Sequence, residues 1–267
     1  MSAGRLVARD SPTTVWLRRL APAAEPWARL VCFPHAGGSA AFFCRWRHHL
    51  PPGIELFAVQ YPGRLDRVTD PCVEDMDLLA ESVTAAVAPL LDRPAALFGH
   101  SLGAAVAYEV ARRLPGSGRR ALERLFVSGR AAPDRQDVTV VHLASDDALC
   151  GEIARLGGTR PEVLADLDLR RAFLPALRSD YRLSAHYRAR PGPPLECPVT
   201  ALLGDDDTEV DAAQARRWSG FTRAGFSIRT FPGDHFYLTA QMSEVVDEVV
   251  RGLAHTAPPR CSGWAGP

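Results

Sequence analysis

The run Gly99-His100-Ser101-Leu102-Gly103 sets a serine between two glycines, with Ala95-Ala96-Leu97-Phe98 before it and the alanine-rich segment Ala104 to Leu114 after it. An apolar strand, a tight turn and a helix would lift the Ser101 hydroxyl clear of a sheet. The glycines permit close backbone packing, and the helix N-terminus faces the negative charge that develops when a carbonyl is attacked. Such a nucleophile needs a base and an acid to orient it, and on sheets carrying this turn the acid precedes the base in the chain. Asp205-Asp206-Asp207 follows the apolar run Val199 to Leu203 and Gly204, and His235 follows Phe226 to Phe231 in Phe231-Pro232-Gly233-Asp234-His235. Both groups fall at the carboxyl ends of expected strands, where open α/β sheets place their sites. His235 is the expected base for Ser101, and an aspartate would hold its tautomer and stabilise its charged form. Asp234 adjoins His235 and is badly placed for that role, while chemistry alone does not choose among Asp205, Asp206 and Asp207.

A second loop fits the same chemistry. Pro34-His35-Ala36-Gly37-Gly38 follows the apolar run Arg29 to Phe33, and a glycine-rich loop there can aim a backbone N–H at the reacting carbonyl oxygen beside the N–H of Leu102. A plain turn requiring positive φ is the alternative reading; the ordered serine, acid and base favour the oxyanion site. The remaining histidines fit less well. His48 and His49 lie on a polar stretch and are expected in solvent, His142, His186 and His255 have no acid partner suggested by spacing, and His100 should point elsewhere on the turn.

The elements that must position these groups alternate. Short apolar runs at Arg29–Phe33, Glu55–Gln60, Ala95–Phe98, Leu125–Ser128, Val199–Leu203 and Phe226–Phe231 read as strands. Helix-period segments at Met76–Leu91, Ala104–Leu114 and Gln241–Leu253 read as helices. This pattern predicts an α/β-hydrolase fold, a mostly parallel sheet with helices on both faces. From about residue 145 to 187 no strand is evident, only amphipathic pieces around Gly157-Gly158 and Pro161, and a helical lid is expected there in preference to a plain connecting layer. One domain is expected over 15–254, with loose ends at 1–14 and 255–267.

Composition narrows the function classes. The 267 residues are 46% apolar and 23% charged, and 31 basic residues balance 31 acidic ones, so no global field favours nucleic acid or a membrane surface. All the basic residues are arginine, which reads as codon bias. The six cysteines form no Cys-x-x-Cys pair, which argues against a disulfide framework or a zinc site and for a cytoplasmic protein. No secretory leader or membrane span is expected.

Phe33-Pro-His-Ala-Gly-Gly-Ser39, Gln60-Tyr-Pro-Gly-Arg64, Gly99-His-Ser-Leu-Gly-Ala104, Leu156-Gly-Gly-Thr-Arg-Pro-Glu-Val-Leu164, Leu174-Pro-Ala-Leu-Arg-Ser-Asp180 and Gly204-Asp-Asp-Asp207 occur in this order. Together, over roughly residues 15–254, they resemble the type II thioesterases that accompany modular polyketide and nonribosomal peptide synthases. The resemblance implies a triad of Ser101, Asp207 and His235, with oxyanion donors at the N–H groups of Ala36 and Leu102. It also implies hydrolysis of acyl groups from the phosphopantetheine arm of acyl or peptidyl carrier proteins, as an editing step, by a monomer needing no cofactor or metal of its own. Leu65 departs from the pattern, standing where members usually have glycine or glutamate, and bears on the loop at the site entrance and on substrate preference. Arg45, Arg47, Arg64 and Arg67 are candidates for docking an acidic carrier or its phosphate, with a solvated polar face as the alternative. Three other functions compete: a general carboxylesterase or lipase, an acyltransferase or cyclising thioesterase, and a non-enzymatic binding protein that kept the fold.

Overall fold

The computed structural model describes residues 12–135, 140–158 and 161–253. The expected loose ends therefore lie mostly outside the described residues, as do Cys261, His255 and the Thr159-Arg160 pair. In chain order the elements begin with α1 (Pro12–Trp16), β1 (Leu17–Ala21), β2 (Ala28–Phe33), β3 (Ile54–Val59), α2 (Met76–Val87), β4 (Ala95–His100), α3 (Leu102–Arg113), α4 (Gly116–Ala121) and β5 (Leu122–Ser128). Then come α5 (Asp146–Leu156), α6 (Pro161–Ala165), α7 (Leu167–His186), β6 (Val199–Gly204), α8 (Ala212–Arg216), β7 (Phe226–Phe231), α9 (Tyr237–Ala240) and α10 (Met242–Leu253).

The strands form one sheet in the order β1-β3-β2-β4-β5-β6-β7, parallel throughout except for β1, which runs antiparallel to β3. All six strands expected from apolar runs are present, within a few residues of their expected ends. β1 was not expected: Leu17-Arg-Arg-Leu-Ala21 carries too much charge to read as a buried strand. It needs only one apolar contact face because it lies at the sheet edge. The expected helix Met76–Leu91 ends at Val87 and tightens into a 3-10 turn at Ala88–Leu90, where Pro89 cannot donate to an α-helical ladder.

Side-chain alternation on the central strands feeds two cores. Val31 and Phe33 of β2 face α2 and α3, packing with Val83, Ala104 and Tyr108. Leu30 and Cys32 face the other way, against Trp46, Phe98 and the Val245, Val249 and Leu253 side of α10. Burial on both faces explains why these strands read as continuous apolar runs.

The segment expected to form a lid holds three helices, α5 to α7, between β5 and β6. Ser145 and Asp166 cap α5 and α7 by accepting first-turn N–H groups, and Gly157 closes α5 in the left-handed conformation. Leu149, Cys150 and Ile153 of α5 and Leu174 and Leu177 of α7 form a third apolar cluster, with Ala36 packed against it. The helical layer thus rests directly on the glycine-rich loop after β2.

Candidate active site

Ser101 is the hinge between β4 and α3. Its backbone lies at φ 53° and ψ −118°, and only Leu65 shares a positive φ among the described non-glycine residues. Such a conformation costs of order 1–3 kcal/mol and persists only where its surroundings enforce it. Here the Ser101 N–H donates to the Ser128 carbonyl at 2.8 Å. The flanking glycines close the turn: a Cβ on Gly103 would stand 2.0 Å from the Phe33 oxygen, and one on Gly99 would stand 2.2 Å from the Gly103 oxygen. No other residue fits either position.

The acidic run after β6 separates by partner. Asp205 accepts the Gly233 N–H at 2.8 Å, Asp206 is exposed, and Asp234 accepts the Phe236 N–H at 2.8 Å. Only Asp207 meets His235, whose Nδ1 lies 3.0 Å from each of its carboxylate oxygens, and the His235 and Asp207 side chains are 4% and 0% exposed. That contact fixes Nδ1 as the protonated nitrogen and leaves Nε2 as the basic one.

Beneath His235 lies a packed polar stack. The ring of His100 is 5.0 Å away, its Nδ1 is 2.9 Å from Ser128 Oγ, and that oxygen is 2.7 Å from the Tyr237 hydroxyl. Burial, followed by the nearby His235 and His35, pushes the His100 pKa well below the usual imidazole value. His100 is therefore a buried, neutral floor for His235. Gly129, at φ +58°, makes room for both rings; a Cβ there would be 2.9 Å from His100 Cε1 and 3.0 Å from His235 Cε1.

The loop after β2 has its donors assigned one by one. Gly38 N–H donates to the His35 carbonyl at 2.9 Å and Gly37 N–H to Asp180 Oδ2 at 2.7 Å. The Ala36 N–H has no hydrogen-bond partner among the described residues. Leu102, at the first turn of α3, likewise has an N–H with no intrahelical acceptor. Both residues line a cavity with Ser101 and His235. The His35 ring packs edge-on to Phe42 and Phe236, and burial, then the charges on His235 and Arg64, lowers its pKa to about 3.

Two cavities meet at this point. One of about 770 Å3 is roofed by Ile153, Leu156, Phe173 and Leu177 and has Arg45 and Leu65 at its lining. The other, about 340 Å3, is more polar, bordered by Arg130, Ser184, Glu209 and Gln214. Ala36, Ser101, Leu156, Tyr181 and His235 belong to both.

The arginine candidates divide. Arg45 and Arg47 are exposed, as a docking role requires. Arg64 is not: it is buried, and its guanidinium pairs in a bidentate manner with Asp180. Arg67 is also withdrawn, bonded to Asp70 and the Gln60 carbonyl and stacked 4.4 Å over the Trp16 ring. Neither has a guanidinium to offer a partner. His48 and His49 are exposed as expected, and His142 is buried against the His186 ring. The Asp180 contact and the Ser128–Tyr237 support were not foreseen from residue chemistry; Asp180 entered only as a letter of a motif, and Arg64 only as that and as a docking candidate.

Among the described residues no cluster of three His, Cys, Asp or Glu side chains suits a metal ion, and no helix is long and apolar enough to cross a membrane.

Comparison with known proteins adds a family signature. A model of the thioesterase domain matches residues 28–253. Thioesterase PikA5 of Streptomyces venezuelae is 45% identical over 245 residues, covering 90% of this chain and 87% of that protein. Among solved structures, the type II thioesterase BorB from the borrelidin biosynthetic cluster superposes with a TM-score of 0.82 at 43% identity, over 90% of this chain and 98% of that one. YbtT, a type II thioesterase from the yersiniabactin NRPS/PKS biosynthetic pathway, gives 0.81 at 30% identity, over 90% and 99%.

Proposed function

Because the chain belongs to the thioesterase family, and within it to the type II thioesterases, we propose that it removes acyl groups from the phosphopantetheine arm of acyl or peptidyl carrier proteins, clearing aberrant or stalled chains during polyketide or nonribosomal peptide biosynthesis. The observation that carries the reading is the strained Ser101 sharing a cavity with a His235 whose Nδ1 is held by the buried Asp207.

The chemistry follows from that arrangement. His235 Nε2 accepts the Ser101 proton as Oγ attacks the thioester carbonyl, and the oxyanion is met by the Ala36 and Leu102 N–H groups. The intermediate collapses, the C–S bond breaks, and His235 returns the proton to the departing thiolate. Water, deprotonated by His235, then attacks the acyl-serine ester, and the carboxylic acid leaves with Ser101 restored. Asp207 stabilises the imidazolium at each stage without taking its proton. The phosphopantetheine belongs to the substrate, so the protein supplies no cofactor. The larger apolar cavity suits an acyl chain. A cytoplasmic, monomeric enzyme fits this role, with exposed Arg45 and Arg47 available to an acidic carrier.

The test is a panel of acyl-loaded carrier proteins, with loss of each acyl group followed by intact mass. Release from carriers at rates well above those for simple esters is expected, and Ser101→Ala should abolish it. Equal rates on short esters and carrier thioesters would favour a general carboxylesterase. An acyl adduct on any residue other than Ser101 would overturn the mechanism.

A further inference from the structure

We infer that Asp180 is a positioning residue for the oxyanion loop, acting from the helix that roofs the cavity. The inference rests on the proposed roles of Ser101 and the Ala36 N–H. Asp180 lies on α7, 143 residues from Gly37, yet its Oδ2 accepts the Gly37 N–H at 2.7 Å. The same oxygen accepts Arg64 Nη1 at 2.6 Å, and Oδ1 accepts Arg64 Nη2 at 2.9 Å. Arg64 goes on to donate to the Gly38 carbonyl at 3.0 Å and the Pro62 carbonyl at 3.1 Å. Gln60 completes the cage, donating to the Arg64 carbonyl at 3.1 Å and accepting the Ala40 N–H at 3.0 Å.

A buried ion pair that served only to dock α7 would be complete with the bidentate contact. Such pairs add little net stability once desolvation is counted, so docking alone is a poor account of it. The extra, charge-assisted bond to Gly37 has a specific effect. It fixes the peptide between Ala36 and Gly37, leaving only the two backbone dihedrals of Ala36 between that anchor and the Ala36 N–H. Gly37 also packs directly on this helix: it sits at φ +74°, which glycine adopts without strain, and a Cβ there would be 2.7 Å from Leu177 Cδ1, on the same helix as Asp180. The roof of the cavity and the direction of the oxyanion donor are therefore set by one helix. With α7 in place, Gly37 is held and Ala36 lines the cavity; a displacement of α7 would carry the carboxylate away and release the donor loop.

The experiment compares wild type with Asp180→Asn, Asp180→Ala and the double variant Arg64→Met/Asp180→Leu, which leaves no buried charge unpaired. The full chain is used, at temperatures well below each melting transition, with an acyl-pantetheine thioester as substrate. The probes are a non-hydrolysable thioether analogue for ground-state binding and a trifluoromethyl ketone analogue, which Ser101 converts to an oxyanion-bearing adduct. Loss of aim in one donor should lower kcat by about 10- to 100-fold, with KM and thioether affinity near wild type, and should weaken the ketone by a similar factor. Unchanged kcat and ketone affinity in the folded variants would overturn the inference. So would equal losses of thioether and ketone affinity, the signature of a deformed cavity. Ser101→Ala, run alongside, separates the two levels: if it retains hydrolysis the underlying reading falls, whereas if it is inert and the Asp180 variants keep full kcat, only the positioning role falls.

Discussion

His235 Nδ1 stands 3.0 Å from both carboxylate oxygens of Asp207, although Asp205, Asp206 and Asp234 are all within two residues of one partner or the other. Asp207→Asn should therefore lower kcat by on the order of 10⁴-fold, because the amide favours the wrong imidazole tautomer. Asp206→Asn, at an exposed carboxylate without that contact, should leave kcat at the wild-type level. Steady-state hydrolysis of one thioester by both variants checks the pair, and a reversed order would reassign the acid.

Gly129 allows His235 and His100 to approach the end of β5. Gly129→Ala would press a methyl against both rings and force a side chain on to a backbone at φ +58°. The expected result is a kcat reduced by about 10- to 100-fold through displacement of the base, with the protein still folded. Gly151→Ala is the contrast: a Cβ there meets nothing within 4 Å, on the exposed side of α5. That change should raise stability by up to about 1 kcal/mol and leave turnover alone, as melting curves and rates would show.

How much of this was legible beforehand depends on how local each feature is. Ser101 announced itself because the turn demands Gly99 and Gly103 in its immediate sequence. Five of the six strands did so because burial on both faces demands apolar runs, whereas β7, at the far edge, did so by alternating half-buried Phe226 and Ile228 with exposed Ser227 and Arg229. Among the three aspartates the choice came from family resemblance, since neighbours in sequence differ only in where the turn points them. Arg64 was misread as a surface cation: nothing within its own segment reveals a carboxylate 116 residues away that draws it inside. β1 escaped notice for a related reason, its two arginines being tolerable only at an edge that topology alone defines.

Acid should weaken the fold through two imidazoles. His35 and His100 are buried and neutral, the former with its pKa lowered to about 3 by burial, then by His235 and Arg64. Above the unfolded value of about 6.5 their contribution is fully present. As the pH falls below it, the unfolded chain binds protons that the folded chain refuses, and the contribution is lost progressively, towards pH 3 for His35. Each histidine adds a slope of about 1.4 kcal/mol per pH unit. Urea denaturation between pH 7.5 and 5 should show that decline, reduced in His100→Asn; a flat profile would contradict it.

Leu65 holds φ 50° while 59% exposed at the rim of the larger cavity. An L-residue pays roughly 1–2 kcal/mol for that conformation, against roughly 0.5–1 kcal/mol of added chain entropy for glycine. Leu65→Gly should thus stabilise the protein by up to about 1 kcal/mol in urea titration. It should also change the relative rates for long and short acyl chains, because an apolar side chain is withdrawn from the cavity mouth. Identical chain-length profiles would show that the rim leucine takes no part in selection.

The antiparallel strand β1 has a consequence for the protein in concentrated solution. An open sheet edge is a template on which a second molecule can add a strand. β1 is five residues long, its register with β3 slips between Arg19 and Ala21, and Arg18 and Arg19 are tethered to Asp66 and Glu55. Shortness, irregular register and anchored charge all frustrate edge-to-edge pairing. The two arginines that disguise this strand in the sequence therefore also work against the addition of a foreign strand along that side.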